Sequence, residues 1–240
     1  MTRIHVYTVV YNEEFLLPYF LRHYGAFAQK IVCFDNMSTD RSAEIIARHP
    51  TAVRIPFDTG GKYLERALLR QRHRYKESKG AADWVMVVDA DEFLYHPQLP
   101  ALLASYQRAG ITFPKVEGFD MVAEESPSTD GQIYDVIKTG TPNPWYCKRA
   151  VFNPELDVTY SAGCHKAAAR GNVVESEHAE IKLLHYAFAG RAFYMRRQRE
   201  RGDRQSADNL RRGWGLRYQR PDSYFAETFD RIKSFAGPVI

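Results

Sequence analysis

Short apolar runs separated by amphipathic stretches mark the first hundred residues. Ile4 to Val10, Ile31 to Phe34, Ala52 to Ile55 and Trp84 to Val88 are rich in valine and isoleucine and have the length of buried strands. Such runs joined by helices are the pattern of parallel strands with crossover connections. The first helix is predicted over Glu13 to Phe27, with Asn12 as its cap, Phe15, Leu16, Tyr19, Phe20, His23 and Tyr24 recurring at helical spacing, and Pro18 shifting its start or bending it. The second covers Ser42 to His49 behind the capping residue Asp40. The third covers Lys62 to Ser78, with Arg66, Arg70, Arg72 and Arg74 on its polar face.

After Asp91 the rhythm changes. Pro97 and Pro100 introduce a short helix, and then apolar runs arrive without long helices between them, so the sheet becomes mixed. Strands are predicted over Ile111 to Val116, Gln132 to Ile137, Tyr146 to Phe152, Leu156 to Tyr160 and Ile181 to Leu184, and a helical tail closes the chain. No internal repeat or low-complexity linker interrupts the sequence, which favours one continuous α/β domain. Its predicted limits are 1–190, with a first half at 1–94 and a second at 95–190, and residues 191–240 form a helical extension packed on it.

With 45% hydrophobic and 26% charged residues among 240, the composition is that of a folded globular protein and excludes a disordered or collagen-like chain. Cys33, Cys147 and Cys164 are too few and too scattered for a disulfide framework or a zinc knuckle, so a reducing compartment is expected. The N-terminus carries no export signal, and the longest strongly apolar run, Trp84 to Val88, is far short of the roughly 20 residues of a membrane-spanning helix. A cytoplasmic protein is expected, with membrane contact peripheral at most. Charge is uneven: ten arginines face three carboxylates in residues 191–220, a surplus of +7 that leaves −3 for the rest of a chain totalling +4. A cationic segment on a nearly neutral body points to an anionic partner or to a solvated helix laced with ion pairs.

The sharpest local signal is Val87-Val88-Asp89-Ala90-Asp91-Glu92-Phe93, an apolar strand running directly into three carboxylates. Like charges this close repel one another, and they sit at a strand's carboxyl end, where open α/β sheets place their ligands. A divalent cation relieves the repulsion, and oxygen donors suit Mg²⁺ or Mn²⁺, which complete their shell with water and substrate phosphates. The second signal is Phe34-Asp35-Asn36-Met37-Ser38-Thr39-Asp40, where Asp35 at a strand end can accept hydrogen bonds from a ribose or base and Asp40 is a helix cap.

Together, Val9-Val10-Tyr11-Asn12-Glu13-Glu14, Asp35-Asn36-Met37-Ser38-Thr39-Asp40 and Trp84 to Phe93 follow the first, second and fourth strands in the order and spacing of a family 2 glycosyltransferase. The chain resembles the bacterial branch with Asn-Glu-Glu, Asp-Asn-x-Ser-x-Asp and Asp-Ala-Asp-Glu-Phe motifs. The resemblance is clear over residues 3–94 and fainter to about residue 200. It implies the GT-A nucleotide-sugar-binding fold, a mixed central sheet flanked by helices. It also implies metal-dependent transfer, with inversion, from a nucleoside diphosphate sugar, a UDP-sugar favoured, to a glycan or lipid-linked glycan acceptor. Carried over, Val9, Tyr11, Asn12 and Asp35 hold base and ribose, Asp89 touches ribose or metal, Asp91 ligates the metal, and Glu13 is structural.

Such enzymes often add a late histidine to the metal; His185, after Ile181 to Leu184, is the first candidate, and His165 can instead meet metal, donor phosphates or acceptor. Lys148, Arg149, Arg191, Arg196 and Arg197 are candidate diphosphate contacts, as are Lys62 and Arg66 behind Gly60-Gly61, although no P-loop signature is present. The general base is expected in the stretch holding Glu117, Asp120, Glu124, Glu125 and Asp130, with Glu125 and Asp130 taken as catalytic candidates; the family's usual Glu-Asp pair is not evident there. Two other classes compete. A haloacid-dehalogenase-like phosphohydrolase also carries an apolar strand followed by Asp-x-Asp, but on its first strand. A binding module would use the arginine-rich tail on an anion, with nucleic acid the less favoured partner.

Overall fold

A computed structural model describes residues 2–128 and 131–240. The chain runs β1 (Ile4–Val10), α1 (Leu17–Gly25), β2 (Lys30–Asp35), α2 (Ser42–Ala47), β3 (Ala52–Pro56), α3 (Glu65–Arg72) and β4 (Trp84–Val87). It continues through β5 (Glu92–Tyr95), α4 (Leu99–Arg108), β6 (Val116–Ala123), α5 (Ile133–Val136), β7 (Thr139–Pro142), β8 (Val151–Phe152), β9 (Asp157–Tyr160) and β10 (Ala167–Arg170). It ends with β11 (Ile181–Ala189), α6 (Arg191–Asp203), α7 (Ala207–Arg211), α8 (Asp222–Ser234) and β12 (Gly237–Pro238).

The fold is mixed α/β with two five-stranded sheets. The first has the order β3-β2-β1-β4-β8, parallel except for β8. The second has the order β12-β7-β6-β11-β5, in which only β6 and β11 are parallel. β2 and β4 of the first sheet are buried on both faces, which is why they read as continuous apolar runs, while the edge strand β3 is largely exposed. Strand alternation sends Val6, Trp84 and Met86 into one core and Tyr7, Val85 and Val87 into another. The larger core also takes Phe20 and Tyr24 of α1, Phe93 of β5 and Leu184 and Tyr186 of β11, so it joins the two sheets. Each such side chain contributes about 1.5–3 kcal/mol by burial. A third cluster seats Phe225 and Phe229 of α8 against Phe188 and Tyr194.

The four parallel strands of the first sheet and the helical tail agree with the pattern read from the sequence. Elsewhere the structure corrects it. α1 begins only at Leu17, with Pro18 in its first turn, and Asn12 does not cap it: Asn12 lies in the left-handed region (φ 52°) and its Oδ1 accepts from the Thr39 amide at 2.8 Å. The predicted third helix is shorter, since α3 starts at Glu65 and tightens into a 3₁₀ turn over His73–Ser78. Arg72, assigned to its polar face, is buried. Residues 132–137 form α5 rather than a strand, because Gln132 and Asp135 make a reciprocal capping box. Of the predicted strands at 111–116 and 146–152 only Val116 and Val151–Phe152 pair, while β6 extends to Ala123 and β11 to Ala189.

His23 of α1 illustrates what the larger core demands of a polar side chain. Its ring is packed among Tyr24, Phe27, Phe93 and Tyr134, and Nε2 donates to the Leu94 carbonyl at 3.0 Å. Burial pushes its pKa down to about 4, so the folded protein holds it neutral while the unfolded chain protonates near pH 6.5. The unfolded state therefore binds more protons between those values, and the stability held above pH 6.5 is lost as pH falls toward 4. In urea titrations, lowering the pH from 7 to 5 should cost about 2 kcal/mol more for the unsubstituted protein than for His23→Phe. Equal losses in the two proteins would refute this origin.

Candidate active site

The carboxylates after β4 occupy a tight turn. The Val88 amide still donates to Tyr7 of the first sheet at 3.1 Å, the Glu92 amide closes onto the Asp89 carbonyl at 3.0 Å, and β5 then enters the second sheet. Asp89, Asp91 and Glu92 are thus fixed at the seam between the sheets, with ligand oxygens within 4.8 Å of one another, a grouping able to hold a metal ion. Glu92 Oε2 accepts from the Asp89 amide at 2.8 Å and stiffens the turn.

Each carboxylate has its own cation. Asp89 Oδ1 meets Arg72 at 2.6 Å, and Glu92 Oε1 meets the buried Lys148 ammonium at 2.5 Å. Asp91 Oδ2 accepts from Arg197 at 2.8 Å and faces His185 Nε2 at 3.5 Å and Arg201 at 3.8 Å. The other end of Arg197 binds Glu13 at 2.5 Å, and His185 Nδ1 lies 2.6 Å from Asp120, which also accepts from Asn143 at 2.6 Å. Tyr146 stacks on the His185 ring at 3.9 Å. That stacking depends on Gly118 of β6, where a Cβ would lie 2.3 Å from the Tyr146 carbonyl carbon.

Burial alone would raise the pKa of both aspartates, but the neighbouring cations outweigh it. Arg72 and Lys148 hold Asp89 at about 2, and Arg197 and His185 hold Asp91 well below the usual carboxylate range. Burial opposes a charge on His185, yet Asp91 and Asp120 lift its pKa to about 9. Glu13 is different: burial pushes it up to about 7 in spite of Arg197, and its Oε2 is buried without a hydrogen-bond partner. The donor set fits Mg²⁺ or Mn²⁺, because the described pairings use Oδ1 of Asp89 and Oδ2 of Asp91 and leave one hard oxygen on each.

Above the turn, at the carboxyl edge of β1, lies a cleft of about 70 Å³ bordered by Val9, Tyr11, Glu13, Asn36, Asp89 and, from the facing side of α6, Arg197, Arg201 and Arg204. The guanidinium of Arg204 covers the Tyr11 ring, and Asn12 donates to Glu200 at 3.0 Å. Asn12 and Met37, both with positive φ, close the loops after β1 and β2 beside it.

The structure therefore brings together Val9, Tyr11, Asn12, Asp89, Asp91 and His185. Asp35 sits in the same strand edge but is fully buried, with Oδ2 held by Arg54 at 2.6 Å and Oδ1 by the Ser38 amide at 2.9 Å. Lys148 supports Glu92 and does not line the cleft. Lys62, Arg66 and Arg196 are exposed outside it, and Arg191 is engaged by Glu124 and Asp230. Glu125 is exposed beyond the end of β6. Asp130 lies outside the described residues. His165 belongs to a second cavity. Sequence reading missed Arg72, Arg201 and Arg204 and took Glu13 as only structural; the spacing of Arg197, Arg201 and Arg204, which shares one helix face, was the available signal. Much of the tail's cationic surplus is paired within the chain: Arg191, Arg197, Arg199, Arg201, Arg211 and Arg212 meet carboxylates, Arg197 in the interior and Arg199, Arg211 and Arg212 at the surface. Among the described residues no helix is long and apolar enough to cross a membrane.

The chain is similar to S. aureus TarS 1-349 in complex with UDP, at 12% identity over 85% of this chain and 65% of that one, with a TM-score of 0.47. The same protein in complex with UDP-GlcNAc gives 11% identity, 85% and 66% coverage, and a TM-score of 0.47. Glucosyl-3-phosphoglycerate synthase from Mycobacterium tuberculosis, in complex with Mn²⁺, UDP and glucosyl-3-phosphoglycerate, gives 20% identity over 50% of this chain and 44% of that one, with a TM-score of 0.34. The chain spans less than two thirds of the length of these proteins. No protein-family model and no curated protein matches the sequence.

Proposed function

We propose that the chain is a metal-dependent glycosyltransferase that moves a sugar from a nucleoside diphosphate sugar, with UDP as the first choice of nucleotide, to a glycan or lipid-linked glycan hydroxyl. The observation that carries this reading is the Asp89–Glu92 turn. It holds three carboxylates at the carboxyl edge of a parallel sheet, beneath a cleft with an aromatic wall and four arginines. The motif resemblance over residues 3–94, which includes this turn, points the same way.

Tyr11 offers a face on which a base can stack, and Asn36 offers hydrogen bonds beside it. Arg201 and Arg204 can pair with diphosphate oxygens. A divalent ion held by Asp89 and Asp91 would neutralise charge growing on the diphosphate leaving group. Arg72 keeps Asp89 ionised, and Arg197 with His185 keeps Asp91 ionised, so both carboxylates are ready without prior loss of a proton. A cleft of about 70 Å³ is well below the roughly 300 Å³ of small-molecule sites, so donor entry requires the arginine face of α6 to swing aside.

A thermal-shift screen of UDP, GDP, CDP and dTDP, each with and without Mn²⁺, tests the reading, because a ligand that binds only the native state raises its melting temperature. One diphosphate is expected to stabilise the protein strongly, and only with Mn²⁺. No shift with any of them, together with fast Mn²⁺-dependent phosphate release from an aryl phosphate, would instead support the phosphohydrolase.

A further inference from the structure

A second cavity, about 760 Å³ in volume, shares Tyr63 with the donor cleft and is otherwise lined by different residues. Its walls include Trp145, Tyr146, His165, Lys166, Trp214 and Arg217. Trp145 is 62% exposed, an unusual position for the largest apolar side chain unless something packs on it. The indole and phenol faces suit the C–H face of a sugar ring, and the cavity volume is that of an oligosaccharide or monosaccharide site.

Charge refines the ligand class. Glu65, which also lines the cavity, has its Oε1 occupied by the Gly163 amide at 2.8 Å and by Arg72 at 3.4 Å. Arg217 donates to the Tyr218 hydroxyl at 3.0 Å, and among the described residues neither Arg217 nor Lys166 has a carboxylate partner. This contrasts with Arg191, Arg197, Arg199 and Arg201 of α6, each of which meets a carboxylate. Two cations thus face a space with aromatic walls and no free negative charge. Tyr146 joins this cavity to the catalytic turn, because its ring lies on His185, which faces Asp91.

We propose that this cavity binds an anionic sugar, phosphorylated or uronic, as the acceptor: Trp145 and Trp214 pack on the ring while Lys166 and Arg217 hold the charged group. Its role as acceptor rests on the proposed transfer, but the binding does not. The chain has three tryptophans, and Trp84 is buried in the core, so the two others make intrinsic fluorescence a direct reporter.

The test titrates glucose 6-phosphate, glucuronate, glucose and inorganic phosphate into the full chain while following tryptophan emission, with Trp145→Phe and Trp214→Phe assigning the signal. The phosphate and uronate arms separate the two sources of charge. At least one anionic sugar is expected to saturate the change with a dissociation constant at least about tenfold below that of glucose and of phosphate alone. The pair Lys166→Gln and Arg217→Gln, both on exposed side chains, should bring that sugar to the level of glucose without moving the melting temperature of the free protein. Equal binding of glucose and the anionic sugars, or no response to any sugar at millimolar concentration, overturns the proposal. Stabilisation of the unsubstituted protein by UDP and Mn²⁺, measured alongside, reports on the donor cleft alone, so either reading can fail without the other.

Discussion

Replacing Asp91 with asparagine is expected to lower metal-dependent sugar transfer by at least about a hundredfold to a thousandfold, the scale on which a single electrostatic group at the reacting centre acts. The same change should also destabilise the protein. Asp91 is 2% exposed and is shared by Arg197, His185 and, more distantly, Arg201, so neutralising it leaves buried cations without their counter-charge. Removing one partner of such a group costs about 3–5 kcal/mol. Activity must therefore be read at a temperature where circular dichroism shows Asp91→Asn folded, and the Mn²⁺-dependent thermal shift should vanish with it. Unchanged turnover by the folded variant is incompatible with the assigned role.

The second large effect concerns Lys148 and Glu92, at 3% and 1% exposure. The Lys148 pKa is raised: burial works against its charge, but Glu92 and Asp89 more than compensate, whereas burial pushes the Glu92 carboxyl up in spite of Lys148. Lys148→Met strands the Glu92 carboxylate in the interior and should cost about 3–5 kcal/mol in urea unfolding. Adding Glu92→Gln should return most of that loss, since a buried pair replaced on both sides is often nearly neutral. The glutamine carbonyl can still accept from the Asp89 amide. Simple additivity of the two substitutions, with Lys148→Met harming turnover rather than stability, would instead make Lys148 a substrate contact.

The parts of the site that were legible in the sequence are those built from short segments. A strand followed by three carboxylates locates Asp89 and Asp91, because a buried apolar run fixes where the polar residues must emerge. The same holds for Val9 to Asn12, whereas Asp35 stands at its expected strand end but is buried against Arg54 and the Ser38 amide. What pairs with them was legible only in part: His185 was a candidate partner of Asp91 and does face it, whereas the pairing of Arg72 with Asp89, of Lys148 with Glu92 and of Arg197 with Asp91 was not, because these cations reach the turn from separate elements. The arginine-rich stretch shows the same gap from the other side. Its composition suggested an anionic partner outside the molecule, whereas the fold turns Arg197 and Arg201 onto carboxylates inside it. In the second half, local chemistry prevailed over apolar pattern: the Gln132 and Asp135 capping box made a helix where alternating residues suggested a strand. Pro144, with the Asn143 side chain accepting from the Trp145 amide, turned the start of the predicted strand at 146–152 into a 3₁₀ turn, and that turn is what presents Tyr146 to His185.

The central claim is that the Asp89–Glu92 turn binds a divalent ion together with a nucleoside diphosphate. Crystals grown with Mn²⁺ and UDP, with diffraction recorded at the manganese absorption edge, test it most directly. The account predicts one anomalous peak in contact with Asp89 and Asp91, with diphosphate density beside it and the arginine face of α6 displaced. Nucleotide bound with no anomalous signal at this turn, or a peak only at some other carboxylate, would contradict it.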